Sequence, residues 1–135
     1  FMSTMPFNPS QILVEVITTY LPNHSSPEEC HYTFAYTVSI SNESDLPVQL
    51  LSRHWIITDA DNEVQEVRGE GVVGEQPVLL PGQSHDYVSG CPLTTPFGSM
   101  EGFYTFQRPD GASCEVRIPF FPLSAPETAE GRSPR

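Results

Sequence analysis

Apolar and polar side chains alternate with a period of two between Tyr32 and Ile40. The even positions carry Tyr, Phe, Tyr, Val and Ile, whereas the odd positions carry Thr, Ala, Thr and Ser. This alternation predicts a β-strand in a sheet with one buried face. Further strands are predicted over residues 12–20, 48–58, 63–68, 84–89, 100–107 and 114–121.

Turn-forming residues separate these strands, and no segment shows a helical period. The run Arg108-Pro109-Asp110-Gly111, for example, predicts a tight turn between the last two strands. About seven short strands joined by turns predict an all-β fold, built as an antiparallel β-sandwich.

We expect one domain over residues 12–125 of the 135-residue chain, which is long enough to bury a core. Residues 1–11 are expected to be an N-terminal extension or a remnant of expression. Residues 126–135 are polar and have a proline near each end, which predicts a mobile C-terminal tail. No apolar run is long enough for a membrane span, so no membrane partner is expected.

The charge balance is strongly acidic. The chain has 17 Asp and Glu against six Arg and no Lys, which gives a formal net charge of −11. Such a field repels nucleic acid and anionic lipid, and it attracts basic partners or divalent cations. The alternative is that the acidic surface serves solubility alone.

Three cysteines, Cys30, Cys91 and Cys114, form no C-x-x-C pair. An odd count without this spacing predicts free thiols and a cytoplasmic location. A zinc site that uses Cys30 and His31 is disfavoured, because adjacent residues of a strand point to opposite faces. We therefore expect no metal site and no cofactor.

A glycine motif, GEGVVG, occupies residues 69–74 and fits the G-x-G-x-x-G pattern. The pattern binds a pyrophosphate only where a strand ends and a helix begins. Pro77 and Pro81 prevent a helix here, and Glu70 and Glu75 place negative charge at the expected phosphate position. The motif therefore predicts an extended loop over residues 69–77 between two strands. Its glycines either let the backbone approach a ligand closely or allow a structural turn that needs positive φ angles.

No catalytic group is predicted. The chain lacks the G-x-S-x-G nucleophile elbow, and its paired carboxylates lie in turns where water keeps them ionised. The oxygen-rich run over residues 59–63 lacks the glycine and distal glutamate of a calcium loop, so it predicts a hairpin turn. We expect the protein not to be an enzyme.

Arg53, His54 and Trp55 form a second group of interest. On a strand, Arg53 and Trp55 share one face and His54 lies on the other. An arginine beside an aromatic ring can make an anion-binding patch, but we favour the alternative that Trp55 is a core anchor and is largely buried. As an anchor it should have Tyr32, Phe34, Tyr36 or Phe106 among its neighbours. The candidate residues for a ligand or partner are Arg53, His54, Gly69, Glu70, Gly71, Gly74 and Glu75.

The sequence resembles the ApaG family through a series of motifs that occur in the same order over about residues 12–125. The motifs are SRHWIITD at 52–59, VQEV at 64–67, GEGVVGEQP at 69–77, LPG at 80–82, YVSG at 87–90, LTTP at 93–96, GSMEGFY at 98–104 and VRIPFF at 116–121.

The resemblance implies a fibronectin-type-III/immunoglobulin-like sandwich. It also implies a link to cobalt and magnesium efflux, as in stand-alone bacterial members. In eukaryotic members the domain lies beside an F-box or in a DNA-polymerase-interacting protein, which implies protein binding. The glycine motif has been discussed in this family as a pyrophosphate site.

The leading hypothesis is a non-enzymatic module that binds a protein partner or a ligand through residues 69–77 and neighbouring turns. The alternatives are weak binding of a divalent metal and binding of a pyrophosphate or nucleotide at the glycine loop. Edge strands of an open sandwich can also pair two copies into a homodimer.

Overall fold

Two antiparallel sheets pack face to face in the computed structural model, which describes residues 6–126. The strands are β1 (Ile12–Tyr20), β2 (Tyr32–Asn42), β3 (Val48–Asp59), β4 (Val64–Glu70), β5 (Val78–Leu79), β6 (Ser84–Leu93), β7 (Phe97–Gln107) and β8 (Ser113–Ser124). Three single-turn 3-10 helices, at Pro9–Gln11, Pro22–His24 and Pro27–Glu29, complete the described structure, which contains no α-helix.

One sheet has the order β1-β2-β6, and the other has the order β4-β3-β7-β8, with β5 paired to the start of β3. A three-stranded sheet against a four-stranded one, with β5 as a short addition, confirms the predicted sandwich of the fibronectin type III kind. The strand β1 matches its predicted bounds, and the other predicted strands are found with longer or slightly shifted ends. The two-residue strand β5 was not predicted.

The alternating residues of β2 fill the space between the sheets. Phe34, Tyr36, Val38 and Ile40 are all buried, whereas the intervening small residues face outward. The period of two places the apolar side chains of β2 on one face of the strand. Burial of this apolar face away from water stabilises the sandwich.

Trp55 lies at the centre of this core and is 3% exposed. Its ring centroid is 5.3 Å from that of Tyr36, 5.9 Å from that of Phe121 and 6.3 Å from that of Tyr104. The predicted burial and the predicted contact with Tyr36 are confirmed.

The N-terminal segment packs against the sandwich close to its first described residue. Phe7 packs against the core, and the Arg108 guanidinium carbon lies 5.3 Å from the centre of its ring. The predicted mobile tail at 126–135 lies outside the described residues except for Pro126. Its mobility stays a prediction.

Both sheets have open edges. The strands β4 and β6 are end strands of different sheets and face each other across one side of the sandwich. On the other side, β1 lies beside β8. The glycine motif begins where β4 ends.

Candidate functional site

The side chain of Arg53 points inward from β3, on the same face as Trp55, and is half-buried. Its Nη1 donates hydrogen bonds to the backbone carbonyl of Glu70 at 3.0 Å and to that of Gly71 at 2.9 Å. Arg53 pairs directly with Gly69 of β4, and a Cβ at Gly69 would stand 2.7 Å from Nη2. A side chain at residue 69 would therefore require the guanidinium to shift.

The remainder of the motif forms a tight turn. Val72 and Glu75 exchange two backbone hydrogen bonds, of 2.8 and 3.0 Å. Between them, Val73 has φ 49° and Gly74 has φ 79°. Two central residues with positive φ are typical of a type I′ turn, which closes a hairpin.

A bulge in β3 anchors this turn to the sheet. The pairing of β3 with β7 shifts between Leu50 and Ser52, and the carbonyl of Leu51 turns to the glycine loop. It accepts hydrogen bonds from the amide of Gly71 at 2.8 Å and from Nε2 of Gln76 at 2.9 Å. Gly71 itself is buried with φ 64°, and a Cβ there would stand 2.2 Å from the carbonyl oxygen of Glu75.

These contacts correct the predicted extended loop over 69–77. Gly69 and Glu70 belong to β4, and the segment after them folds into a hairpin turn. No helix follows the motif, as the sequence predicted, because the chain continues to β5. The amides of Gly71, Val72 and Glu75 donate hydrogen bonds inside the protein.

The candidate residues separate into three places. Arg53, Gly69 and Gly71 lie together beside the core, with Glu70 at the end of β4. Gly74 and Glu75 lie at the exposed tip of the turn. His54 faces the outer side of the sheet, where its Nε2 is 2.8 Å from Oε1 of Glu66.

Glu66 also pairs with Arg68 at 3.2 Å, so His54 belongs to a surface cluster on the outer face. It is not brought to the site of Arg53, because neighbouring residues of a strand point to opposite faces.

Buried tyrosines lie behind Arg53, and the sequence analysis did not identify them as a group. Tyr87 and Tyr104 share a hydrogen bond between their hydroxyls, and Tyr36 and Ser89 line the same cavity. Burial raises the pKa of all three phenols, and the positive charge of Arg53 opposes the rise. Their positions on inward faces of β2, β6 and β7 were the available signal, but only the packing of the two sheets joins the hydroxyls.

A groove runs between the edge strands β4 and β6, and we call it the β4–β6 groove. It joins a cavity of about 210 Å³ next to Arg53 to one of about 240 Å³ next to Asp59 and Glu63. The cavities share Ile57, Gln65 and Pro92. Trp55, Val67, Cys91 and Met100 contribute to the apolar floor.

The hairpin turn predicted at 59–63 is present. The carboxylate of Asp59 accepts the backbone amides of Asp61 at 2.8 Å and Glu63 at 3.0 Å, which closes the turn. Among residues 6–126, no group of three or more His, Cys, Asp or Glu side chains is placed to hold a metal ion. All three cysteines are free thiols, as predicted. No helix in the described part of the chain is both long and apolar enough to span a membrane.

Comparison with known proteins supports a single family. A family model of the ApaG domain matches residues 22–108. The chain is 53% identical over 116 residues to Protein ApaG of Pseudomonas aeruginosa strain LESB58, an alignment that covers 86% of this chain and 92% of that protein. It is 51% identical over 119 residues to Protein ApaG of Dechloromonas aromatica, with 88% and 94% covered.

A solved structure shows the same fold. A crystal structure of a protein from Bordetella pertussis superposes with a TM-score of 0.85 at 48% sequence identity, over 93% of this chain and 100% of that one. A second X-ray structure superposes with a TM-score of 0.83 at 43% identity, over 87% of this chain and 89% of that one. From the family model, these relatives and the shared sandwich, we conclude that the chain belongs to the ApaG domain family.

Proposed function

We propose that the chain is a non-enzymatic binding module that takes an extended peptide segment of a partner protein into the β4–β6 groove. The observation that carries the proposal is the groove itself, a channel bordered by two edge strands, with an apolar floor at its Arg53 end. Edge strands present unpaired backbone amides and carbonyls, which an added strand can satisfy.

The length and the charges of the groove favour an extended peptide. Arg53 lies at one end, and Asp59 and Glu63 lie at the other. The seven residues from Arg53 to Asp59 span about 20 Å along β3, so about seven residues of a strand would fill the groove. A peptide that places an acidic group near Arg53 and a basic group near Asp59 would be complementary to both ends.

The turn at 72–75 supplies a second contact in this proposal. Gly74 and Glu75 are exposed beside the Arg53 end of the groove, where a longer partner would reach them. We include in the proposal a cytoplasmic location, which the free thiols support, and the link to cobalt and magnesium efflux that the family resemblance implies.

Calorimetric titration separates this proposal from the two alternatives. A binding module of this kind gives no heat with Mg²⁺, Co²⁺ or ATP. Heat with Mg²⁺ or Co²⁺ alone would instead support the metal-binding function, and heat with ATP plus Mg²⁺ would support nucleotide binding. Glu70 and Glu75 beside the turn disfavour ATP, since like charges at close range repel.

Site-specific photo-crosslinking tests the proposal in the cell. A benzophenone amino acid at Gln65, exposed on the wall of the groove, should capture a partner through an extended peptide segment. The matched control is the same amino acid at Val88, which is 60% exposed on the outer face of the other sheet. The purified partner should then bind the purified chain. Equal capture at both positions, or none at Gln65, would contradict a peptide site in the groove.

A further inference from the structure

Arg53 carries a positive charge that no carboxylate of the described chain neutralises. The ion pairs within residues 6–126 join Glu66 to His54 and to Arg68, and Arg108 to Asp110. The partners of Arg53 are the backbone carbonyls of Glu70 and Gly71, which carry no net charge. In a chain with 17 acidic residues and six arginines, a half-buried arginine without a carboxylate partner is unusual.

The same guanidinium faces the cavity at its end of the groove. Tyr36, Gln65 and Ser89 line this cavity together with Arg53 and bring hydroxyl and amide groups to its wall. Trp55 and Met100 form the apolar part. A cavity of about 210 Å³ is large enough for one polar side chain of a ligand, and not for a nucleotide.

The chemistry of the cavity favours a carboxylate over a phosphate. A guanidinium presents paired N–H donors that match the two oxygens of a carboxylate. Among residues 6–126, Arg53 is the single cationic residue that lines the cavity, so a monoanion can be neutralised there and a phosphate dianion cannot.

We propose that Arg53 is the receptor for a carboxylate group of the partner peptide, held with help from Tyr36, Gln65 and Ser89. This inference rests on the proposed function, because it names the chemical group that would occupy the Arg53 end of the groove. The ligand oxygens would accept hydrogen bonds from the guanidinium nitrogens that face the cavity.

Small carboxylates test the cavity without a partner protein. The probes are acetyl-glutamate amide, which carries a side-chain carboxylate, and acetyl-alanine, which carries a terminal one. Acetyl-glutamine amide is the uncharged isostere of the first, and inorganic phosphate tests the dianion. The readouts are the fluorescence of Trp55, the single tryptophan of the chain, and the NMR shift of its indole N–H.

We expect saturable changes in both readouts with one or both carboxylates. We expect acetyl-glutamine amide and phosphate to bind more weakly than the carboxylates, by about tenfold or more. The stronger of the two carboxylates shows whether the natural group is a side chain or a chain end. Equal binding of acetyl-glutamate amide and acetyl-glutamine amide, or no binding of either carboxylate, would overturn the proposal. So would tighter binding of phosphate.

Two variants locate the site. Arg53→Lys keeps the charge and removes the paired donors, and it should weaken carboxylate binding by about tenfold. Arg53 also donates to two backbone carbonyls, so a change at Arg53 could weaken binding through the structure alone. Gln65→Glu is therefore the second variant. It adds a negative charge on the wall of the cavity and should weaken carboxylate binding by about threefold or more. Gln107→Glu, away from the groove, adds the same charge and should change nothing. Loss of binding in Gln107→Glu, or full binding in Gln65→Glu, would contradict a site at Arg53.

The two proposals fail separately. Photo-crosslinking from Gln65 without binding of small carboxylates would retain the peptide groove and remove the role of Arg53. Carboxylate binding at Arg53 without a captured protein would show an anion site and contradict the peptide-binding function.

Discussion

The guanidinium of Arg53 lies over Gly69 of the neighbouring strand, with Nη2 2.7 Å from the position that a Cβ of residue 69 would take. This position brings Nη1 within hydrogen-bond distance of the carbonyls of Glu70 and Gly71, at the start of the glycine turn. Gly69 therefore leaves room for the guanidinium of Arg53, whereas glycine is required at residue 71 because of its own positive φ angle.

Gly69→Ala should displace Arg53 and break its hydrogen bonds to the two carbonyls. We expect a loss of about 1–3 kcal/mol in the free energy of unfolding, measured by urea denaturation. Gly90→Ala is the matched control, because a Cβ there would meet only the carbonyl of Phe34 at an ordinary 3.5 Å. Equal stability of the two variants would contradict the contact between Arg53 and Gly69.

Trp55→Ala should lower the free energy of unfolding by about 3–5 kcal/mol, because it leaves a cavity among Tyr36, Tyr104 and Phe121. The emission of the wild-type tryptophan should be blue-shifted in the native protein and move to longer wavelength on unfolding. A water-like native emission, with an alanine variant as stable as wild type, would refute the core position.

Asn42→Ala should destabilise the protein by about 2–4 kcal/mol, because Asn42 is fully buried and its side chain serves four hydrogen bonds. Its Nδ2 donates to the carbonyls of Leu46 at 2.8 Å and Leu79 at 2.9 Å, which would lose their partner. Ser44→Ala leaves these two bonds in place and should cost about 1 kcal/mol, again by urea denaturation. If Ser44→Ala destabilised the protein more than Asn42→Ala, the carbonyls of Leu46 and Leu79 would have to be satisfied by a donor other than Asn42.

Alkaline pH should destabilise the sandwich through Tyr87 and Tyr104. Burial raises the pKa of both phenols above the ordinary 10.0, so the folded state holds these protons more tightly than the unfolded chain does. Their contribution is complete below pH 10 and decreases as the pH rises above it. The double variant Tyr87→Phe, Tyr104→Phe removes both hydroxyls, and its stability should decrease less above pH 10. Parallel pH profiles for the two proteins would contradict this assignment.

The three thiols should react in a fixed order. Cys30 is exposed and should react first with a soluble disulfide reagent. Cys114 is partly buried, and burial raises its pKa, so it should follow. Cys91 should react last, because burial raises its pKa to about 11 and hides the sulfur. Mass spectrometry of alkylated peptides gives the order. Under denaturing, non-reducing conditions all three should react, and a count of one would reveal a disulfide.

The strand pattern of the fold was predictable from the sequence. The period of two between Tyr32 and Ile40 identified β2 and its buried face, and the turn residues separated the strands. The strand β5 was missed because two residues, Val78 and Leu79, are too few to show a period, and only their pairing with Val48 and Gln49 makes them a strand.

The glycine motif shows what a local pattern can exclude. Pro77 and Pro81 excluded a helix because they act on their own backbone. The same pattern predicted an extended loop and missed the tight turn. That turn is held by the carbonyl of Leu51, which lies at the bulge in β3.

The sequence by itself determined the strands, their buried faces, the acidic charge and the number of cysteines, because each is a property of neighbouring residues or of composition. Only the tertiary structure decided that Arg53 would lie over Gly69, that Tyr87 would meet Tyr104, and that β4 and β6 would enclose a groove. These relationships join residues 16 or more positions apart in different strands or sheets. Their geometry is fixed by strand register and sheet packing, on which a local period carries no information.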